Sequence, residues 1–480
     1  MSNKNYYLTT TLPYVNAEPH IGFALEIIQA DTIARYKKLQ GFDVFFNFGT
    51  DEHGLKIYNK ALEQNKDPQK YVDEYAAKFD GLKSALNLSY NNFIRTTDLH
   101  HVKAAQELWN ISKDKGFIEK GIYKAKYCVG CELEKQDSEL VDGHCPLHTS
   151  QEIQLIEEEN YFFKFSLFQD KILDLYKNNP DFVVPSNRLK EIENFVKDGL
   201  QDFSVSRLKE KMPWGIPVPG DDKHVMYVWF DALTNYISAL GWPKNKEKFT
   251  KFWGTKNNPN AIQFAGKDNL RQQSAMWQAM LLAADLPPTK QILIHGFITV
   301  DGQKISKSLG NVINPVDYVK KYGTDALRYY MLAKISPFED SDFTKESFEQ
   351  VYQADLANGL GNLVARIARM AELNEINTGK SEARKLDKFV IEALDSYRFD
   401  WALEEIWKKI SSVDIIVNRN ELWRETKSKK KFPILVSCVE DICQIAHDLQ
   451  PFLPETANKI LNQYNNGPIK SGPPLFPRLK

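Results

Sequence analysis

The hydrophobic pattern of the first fifty residues changes its period twice. Residues 6–11 form a short apolar run that is typical of a buried strand. From about residue 22 to 39 the apolar positions recur at helical spacing, namely at Ala24, Ile27, Ile28, Ile33, Ala34 and Leu39. Gly41 marks the end of that helix, and residues 44–46 resume as a strand. This order predicts a βαβ unit at the start of a doubly wound parallel sheet.

The same alternation returns in the second half of the chain. Strands are expected at residues 225–229, 261–264 and 291–294, with a helix around 276–284. Residues 118–200 instead combine short strands, clustered cysteines and two amphipathic segments, and after about residue 340 only helical periodicities remain. We therefore predict an α/β, Rossmann-like domain whose halves are residues 1–117 and 201–340, split by an insertion at 118–200. An α-helical bundle at 341–480 follows it.

Composition narrows the class of protein. The chain has 480 residues, of which 42% are apolar and 26% charged, and it lacks an apolar run long enough to span a bilayer. The N-terminus has no signal-peptide pattern, so we expect a cytoplasmic protein. A net charge of −1 provides no overall attraction to nucleic acid, although a local basic surface would suffice to bind RNA.

A histidine and a glycine open the first helix. His20 can donate a hydrogen bond to a phosphate oxygen, and Gly22 leaves room for an adenine ring against the backbone. A buried histidine that merely caps its helix would give the same local sequence. The pattern therefore indicates a nucleotide site only in combination with a second signal.

That second signal is the lysine loop, residues 304–308, which lies between Gly302 and Gly310 after the last predicted strand. Lys304, Ser306 and Lys307 give it positive charge and hydrogen-bond donors. Two lysines on a bendable loop can close over a triphosphate and offset the charge that develops as pyrophosphate leaves. A solvated hairpin is the alternative for this pentapeptide on its own.

Four residues in the predicted insertion have metal-ligand spacing. Cys128 and Cys131 form a C-x-x-C pair, and Cys145 and His148 form a C-x-x-H pair. Together they predict one closed, tetrahedral, structural Zn²⁺ site. His144 is another possible nitrogen ligand, but its adjacency to Cys145 makes the geometry awkward. The alternative to a zinc site is a set of unligated thiols. Cys438 and Cys443, the other two of the five cysteines, follow an apolar helix pattern and are expected in the core.

The two nucleotide signals, in this order, resemble the paired signatures of class I aminoacyl-tRNA synthetases. Residues 9–14, 49–54, 227–232, 266–269 and 302–311 further resemble the methionyl-tRNA synthetases, and the resemblance covers essentially the whole chain. It implies a ligase that activates L-methionine with ATP and Mg²⁺, then transfers the methionyl group to tRNA(Met). It also implies a zinc knuckle in the insertion and an anticodon-binding helical domain.

The resemblance assigns roles to individual residues. It implies that Asp51 binds the substrate ammonium, that Gly266 and Asp268 contact ATP, and that Arg207 is an active-site arginine. The methionine side chain would lie among Leu12, Tyr14, Trp229, Ala232, Tyr236 and Gln273. Ordinary core packing is the alternative for the apolar members of this set. Two departures from the family pattern concern Phe23, which stands where a second histidine is frequent, and Gln272 with Gln273, which replace aromatic and histidine residues.

The helical region carries a candidate RNA-binding pair. Asn362 and Arg366 lie four residues apart, hence on one helix face, and the family reads the anticodon with a matching pair. Packing between helices is the alternative. Some family members have a base-stacking tryptophan just before the L-x-P-x-x-P turn, where this chain has Asp448. Either another aromatic residue substitutes, or recognition depends more on the Asn362–Arg366 pair. The basic run at 424–431 is either a solvated loop or an RNA backbone contact.

Other functions fit the sequence less well. The leucine, isoleucine and valine enzymes carry a long editing insertion, for which the segment between Cys145 and Lys304 is too short. The cysteine enzyme uses a cysteine near the first signature, which is absent here. A non-catalytic RNA-binding relative would be expected to lose the loop lysines, and a free-standing nucleotidyltransferase would leave the helical domain without a task. Without an appended dimerisation module, we expect a monomer.

Overall fold

The computed structural model describes residues 4–131, 133–135, 137–305, 310–379, 384–424, 427–465 and 467–479. The strands are β1 Asn5–Thr10, β2 Asp43–Thr50, β3 Asn92–Arg95, β4 Ile118–Cys128, β5 Leu133–Lys135, β6 Gln154–Phe163, β7 Val183–Val184, β8 Phe203–Ser204, β9 Ser206–Leu208, β10 Pro217–Val218, β11 Asp221–Met226, β12 Gly254–Thr255, β13 Asn258–Pro259, β14 Ala261–Gly266, β15 Gln291–His295, β16 Ile298–Val300, β17 Gln303–Lys304, β18 Ser341–Phe343, β19 Asn377–Thr378 and β20 Gly467–Pro468.

The helices are α1 Ile21–Leu39, α2 Leu55–Glu63, α3 Pro68–Asp80, α4 Leu82–Ala85, α5 Leu99–Asp114, α6 Gln169–Asn178, α7 Ser186–Lys197, α8 Val228–Leu233, α9 Asn235–Ser238, α10 Lys246–Trp253, α11 Trp277–Ala283, α12 Pro315–Tyr322, α13 Thr324–Ala333, α14 Lys345–Val351, α15 Asn362–Leu373, α16 Lys388–Asp395, α17 Phe399–Arg419, α18 Phe432–Leu449 and α19 Pro454–Tyr464. Wider, π-helical turns precede α11 at Gln272–Met276 and α15 at Tyr352–Gly361. None of these helices is both long and apolar enough to cross a membrane.

One compact unit is made of Met1–Glu18, Asp43–Gly81 and Tyr90–Ile294. Its centre is a six-stranded sheet in the order β3-β2-β1-β14-β15-β7. The first strand pairs in parallel with β2 on one side, where Tyr7 faces Phe45, and with β14 on the other, where Tyr7 faces Ala261. Helices cover the sheet, and Tyr7 is fully buried beneath them. The predicted doubly wound α/β fold is confirmed.

Between β3 and β14 the chain also forms antiparallel strands that lie outside the central sheet. A long hairpin pairs β4 with β6 in a sheet of order β5-β4-β6-β8, and β10, β11 and β9 form a second small sheet. The expected strand at residues 225–229 was partly wrong, because β11 ends at Met226 and α8 begins at Val228. Short apolar runs do not distinguish a strand end from the first turn of a buried helix.

The other compact unit is made of Pro19–Phe42, Leu82–Ser89 and His295–Lys480. It contains α1 and α4 with all the helices from α12 onward. The helical character predicted after residue 340 is confirmed, with short additions: β18 pairs with β16, and β19 pairs with β20.

A buried ion pair joins the three chain segments of this second unit. The Arg328 guanidinium on α13 lies 2.8 Å from the Asp31 carboxylate on α1, and both side chains are fully buried. It also donates to the carbonyl oxygens of Leu86, Pro451 and Phe452, at 3.2, 3.2 and 2.8 Å. Burial alone would raise the pKa of Asp31, but Arg328 and Arg35 outweigh that effect and hold the pKa below its usual value. Residues from all three segments therefore depend on one guanidinium.

We expect Arg328→Met to lower the free energy of unfolding by about 3–5 kcal/mol, because it removes one of the two cations beside a buried carboxylate and a donor to three carbonyls. Arg369→Met is the matched control, since Arg369 pairs with Glu372 on the exposed surface and its removal should cost less than about 1 kcal/mol. Urea unfolding of both variants measures the difference. Equal losses would contradict the importance given to the buried pair.

Candidate functional site

The carboxyl ends of β1 and β2 bring Tyr14 and Asp51 together. The two residues form an isolated parallel bridge, in which the Asp51 amide donates to Pro13 O at 2.9 Å and the Val15 amide donates to Asp51 O at 3.2 Å. Asp51 is buried, whereas Leu12 and Tyr14 are only partly buried. The backbone of an acidic residue and that of an aromatic residue are therefore paired at the edge where parallel sheets bind ligands.

Glu52, the residue after Asp51, is held in place by a cluster of hydrogen bonds. Glu52 accepts two hydrogen bonds from Arg95, at 2.7 and 2.9 Å, and further ones from the hydroxyls of Thr50 and Thr97. Its own amide donates to Thr96 Oγ1 at 2.9 Å. A bidentate guanidinium–carboxylate pair is among the strongest charge-assisted contacts in proteins. The backbone that presents Asp51 is therefore rigid.

A group of aromatic and amide side chains follows β11. Ala232 and Tyr236 are buried, and Trp229 is partly buried with an Nε1 that meets no hydrogen-bond partner in the described part of the chain. Gln273, in the π-helical turn before α11, donates to the Tyr236 hydroxyl at 2.5 Å. The structure thus joins Tyr236 and Gln273, two of the residues that the resemblance assigned to one pocket.

Arg207 lies between two aromatic rings. Its guanidinium carbon is 4.2 Å from the centre of the Tyr227 ring and 5.3 Å from that of Tyr127, and Nη1 donates to Ser204 Oγ and Ser206 O at 2.7 and 2.9 Å. The residue is buried. Aromatic faces stabilise a cation that has left water. This arrangement keeps a positive charge beside the segment that leads to Trp229.

Gly266 and Asp268 lie where β14 ends. Gly266 is the last residue of that strand and is buried, while Asp268 is exposed in the 3₁₀ turn that follows. The end of β14 lies at the same edge of the sheet as the end of β1, because the two strands are parallel neighbours. An exposed carboxylate in this position can accept hydrogen bonds from ribose hydroxyls.

In the second unit, His20 folds over the start of α1. A side chain on Gly22 would have its Cβ 3.2 Å from the His20 ring and 3.7 Å from Ile305, so glycine permits this packing. His20 Nδ1 is buried without a hydrogen-bond partner among the described residues, and burial lowers the pKa of the ring. A neutral imidazole at a helix N-terminus is suited to donate to an anionic group.

Lys304 lies at the start of the lysine loop and is exposed. It belongs to β17, which pairs with β16, and its carbonyl accepts from Asn311 Nδ2 at 3.0 Å, so the two ends of the loop are joined. Its neighbour Ile305 lies close to Gly22, which places this end of the loop at the N-terminus of α1. Ser306 and Lys307 fall outside the described residues.

The four predicted metal ligands converge. The sulfur atoms of Cys128, Cys131 and Cys145 and a ring nitrogen of His148 all lie within 4.8 Å of one another. His148 Nδ1 is 3.8, 3.2 and 3.9 Å from the sulfurs of Cys128, Cys131 and Cys145. Separations of about 3.3–3.8 Å are those of ligands around tetrahedral zinc. A Cβ at Gly130 would fall 2.4 Å from the His148 ring, so the glycine is required for this convergence.

His144 is not part of this cluster. It is exposed, and its Nδ1 lies 2.9 Å from the Asp142 carbonyl oxygen. Cys438 and Cys443 are buried in α18, as expected for core residues.

Arg366 is held on the surface of the helical region, four residues after Asn362 on α15. It lies 2.7 Å from Asp414 and donates to Asn418 at 2.8 Å, and both of these acceptors are on α17. Its guanidinium carbon is 5.4 Å from the centre of the Trp423 ring, and Trp423 is 50% exposed. An exposed aromatic ring beside an oriented guanidinium can stack on an unpaired base.

Trp423 was not predicted from the sequence, because the stacking residue was expected just before the L-x-P-x-x-P turn. Asp448, the position considered then, is buried and accepts hydrogen bonds from the Asp387 amide and from Gln444 at 2.8 and 3.0 Å. Burial raises its pKa to about 6. This position is therefore part of the interior. A tryptophan followed by arginine shortly after the end of α17 was the sequence signal that could have drawn attention to Trp423.

Comparisons with known proteins agree with this arrangement. A family model described as tRNA synthetases class I (M) matches residues 6–155 and 135–368. The methionine–tRNA ligase of Thermotoga maritima is 40% identical over 478 residues, which are 95% of this chain and 75% of that protein. That of Rickettsia conorii is 38% identical over 481 residues, 96% of this chain and 93% of that protein.

Solved structures give the same result. The methionyl-tRNA synthetase of Mycobacterium tuberculosis, in complex with methionyl-adenylate, superposes with a TM-score of 0.90 at 33% identity, covering 99% of this chain and 100% of that one. Sequence and fold agree along nearly the full length. The resemblance noted in the motifs is confirmed, and the chain belongs to the methionyl-tRNA synthetases of class I.

Proposed function

We propose that this chain activates L-methionine with ATP and charges tRNA(Met). In the first step an oxygen of the methionine carboxylate attacks the α-phosphorus of ATP, and the bond to the β-phosphate breaks. This gives methionyl-adenylate and pyrophosphate. In the second step a ribose hydroxyl at the 3′ end of the tRNA attacks the methionyl carbonyl, and AMP leaves. The charged tRNA serves initiation and elongation of translation.

The observation that carries this proposal is the buried Asp51, whose backbone forms a bridge with Tyr14 beyond the ends of β1 and β2. A buried carboxylate matches the ammonium of a free amino acid. Leu12, Trp229, Ala232, Tyr236 and Gln273 provide the apolar and amide surroundings that suit a flexible thioether. Arg207 supplies positive charge for the substrate carboxylate or the phosphate.

The ATP site is assigned to His20, Gly22, Gly266, Asp268, Lys304, Ser306 and Lys307. His20 at the N-terminus of α1 would donate to a phosphate oxygen, and Asp268 would accept from the ribose. The two lysines would offset charge on the phosphates as pyrophosphate leaves. Mg²⁺ arrives with ATP and neutralises phosphate charge when bound.

The cysteine cluster is proposed to hold one Zn²⁺ through Cys128, Cys131, Cys145 and His148. Four protein ligands leave no open position, so the ion would stabilise the insertion and take no part in bond making. The distances among the four ligand atoms support zinc over unligated thiols.

The helical region at 341–480 is proposed to bind the anticodon. Asn362 and Arg366 would hydrogen-bond to unstacked base edges, with Trp423 as the stacking partner. We also propose that the enzyme acts as a monomer in the cytoplasm, where tRNA charging serves translation.

Substitutions in the proposed methionine site and in the proposed ATP site should each raise the KM for a different substrate. Asp51→Asn removes the charge that pairs with the substrate ammonium and should raise the KM for methionine about 10- to 100-fold, with the KM for ATP nearly unchanged. Asp268→Asn should raise the KM for ATP instead. Methionine-dependent exchange of pyrophosphate into ATP, without tRNA, measures both. Exchange that is strongest with another amino acid would refute the proposed substrate.

Metal analysis after extensive dialysis should find one zinc per chain. Cys128→Ser combined with Cys145→Ser should abolish it, and Gly130→Ala should lower it because the added methyl group collides with the His148 ring. Cys438→Ser, in the buried face of α18, is the control that should keep full zinc content. Zinc-free protein purified without chelator would contradict the ligand set.

The anticodon assignment predicts that substitutions in the helical region lower aminoacylation of tRNA without changing pyrophosphate exchange. Arg366→Ala and Trp423→Ala should each lower aminoacylation of methionine tRNA by about 1–3 kcal/mol in kcat/KM, while pyrophosphate exchange without tRNA is unchanged. Trp401→Ala is the matched control, because Trp401 is equally exposed at 52% and lies against Arg398 at the other end of α17. Its aminoacylation should stay near that of the unaltered enzyme. Equal losses in both assays would indicate misfolding instead.

A further inference from the structure

A carboxylate is buried between two histidines next to the proposed methionine site. Asp231 lies on α8 and is fully buried. One oxygen is 2.7 Å from His53 Nδ1, and the other is 2.8 Å from His101 Nε2. His101 Nδ1 is in turn 2.8 Å from the Ser238 hydroxyl. His53 and Asp231 lie within residues 49–54 and 227–232, two of the stretches that carry the family resemblance, but the sequence analysis gave neither residue a role.

The chemistry of the carboxylate fixes the protons in this network. An ionised carboxylate only accepts, so His53 donates from Nδ1 and His101 donates from Nε2. Burial on its own would raise the pKa of Asp231, but the two histidines hold the pKa below its usual value. Asp231 is therefore ionised at neutral pH.

The network links the segments that present substrate-facing residues. His53 comes two residues after Asp51, and Asp231 lies between Trp229 on one side and Ala232 and Tyr236 on the other. Ser238 follows Tyr236 on α9, and His101 belongs to α5. Through the Asp231 carboxylate, the loop after β2 is thus bonded to the helices that carry the aromatic side of the pocket. Glu52 and Arg95 hold that loop from its other side.

We propose that Asp231 is a positioning residue for methionine. Held between His53 and His101, its carboxylate sets the distance between Asp51, which binds the substrate ammonium, and the aromatic residues that bind the thioether. Asp231 itself does not touch the substrate. The proposal rests on the methionine site proposed above and adds to it a determinant of amino-acid affinity.

Paired substitutions isolate each hydrogen bond. Asparagine places its amide nitrogen where a histidine has Nδ1, and glutamine places it where a histidine has Nε2. His53→Asn therefore keeps a donor to Asp231, and His53→Gln removes it. At His101 the order reverses, because His101→Gln keeps the donor and His101→Asn removes it. Asp231→Asn replaces the acceptor itself.

Two ligands distinguish positioning from general loss of structure. L-Methioninol carries the ammonium and the thioether, and 4-(methylthio)-1-butanol has the same chain without the amine. Calorimetry should show that His53→Gln, His101→Asn and Asp231→Asn weaken methioninol binding about 10-fold or more, while the amine-free alcohol changes less than about 2-fold. His53→Asn and His101→Gln should bind both ligands within about 3-fold of the unaltered protein. The melting temperature is recorded for every variant.

Equal weakening of both ligands, or equal dissociation constants within a histidine pair, would overturn the positioning role. So would unchanged methioninol binding in all five variants. If the unaltered protein does not bind methioninol, the proposed methionine site fails first, and this result is distinct from any difference between variants.

Discussion

The site depends on the position of β1 between β2 and β14. Parallel pairing on both flanks brings the carboxyl ends of the three strands to one edge of the sheet. The carboxyl ends of parallel strands form the edge at which open α/β sheets bind ligands. Leu12 and Tyr14 follow β1, Asp51 follows β2, and Gly266 ends β14. A different neighbour for β1 would separate these residues whatever their identity.

Around this edge the protein uses buried charge to hold backbone in place. Glu52 accepts hydrogen bonds from Arg95, and Asp231 lies between two histidines. Arg207 packs between two aromatic rings. Such pairs contribute less to stability than apolar side chains of the same size would, but they tolerate only a narrow range of geometry. The ammonium site proposed at Asp51 would benefit from that narrow geometry, because its binding atoms would be in position before the substrate arrives.

Local patterns in the sequence predicted local structure. Apolar periodicity was sufficient for β1, α1 and β2, and cysteine spacing was sufficient to predict the metal ligands that converge in the structure. Prediction from the sequence failed where an apolar run fits both a strand and a helix, as at Val228. It also failed where the two residues in contact are far apart in the chain. His53 and Asp231 are 178 positions apart, and His101 and Asp231 are 130 apart. Nothing in one sequence marks such partners, or shows that Trp423 lies against Arg366.

The Arg328–Asp31 pair also constrains the order in which parts of the chain can pack during synthesis. During synthesis Asp31 leaves the ribosome about 300 residues before Arg328, and the carbonyls of Pro451 and Phe452 emerge later still. Until then α1 carries a carboxylate that is destined for the interior and has no cation from α13 to meet it. Arg35, on the same helix, can pair with Asp31 earlier, but the buried pair with Arg328 forms only once α13 has been made. The final packing of α1 within its unit therefore depends on chain that is synthesised much later than the helix itself.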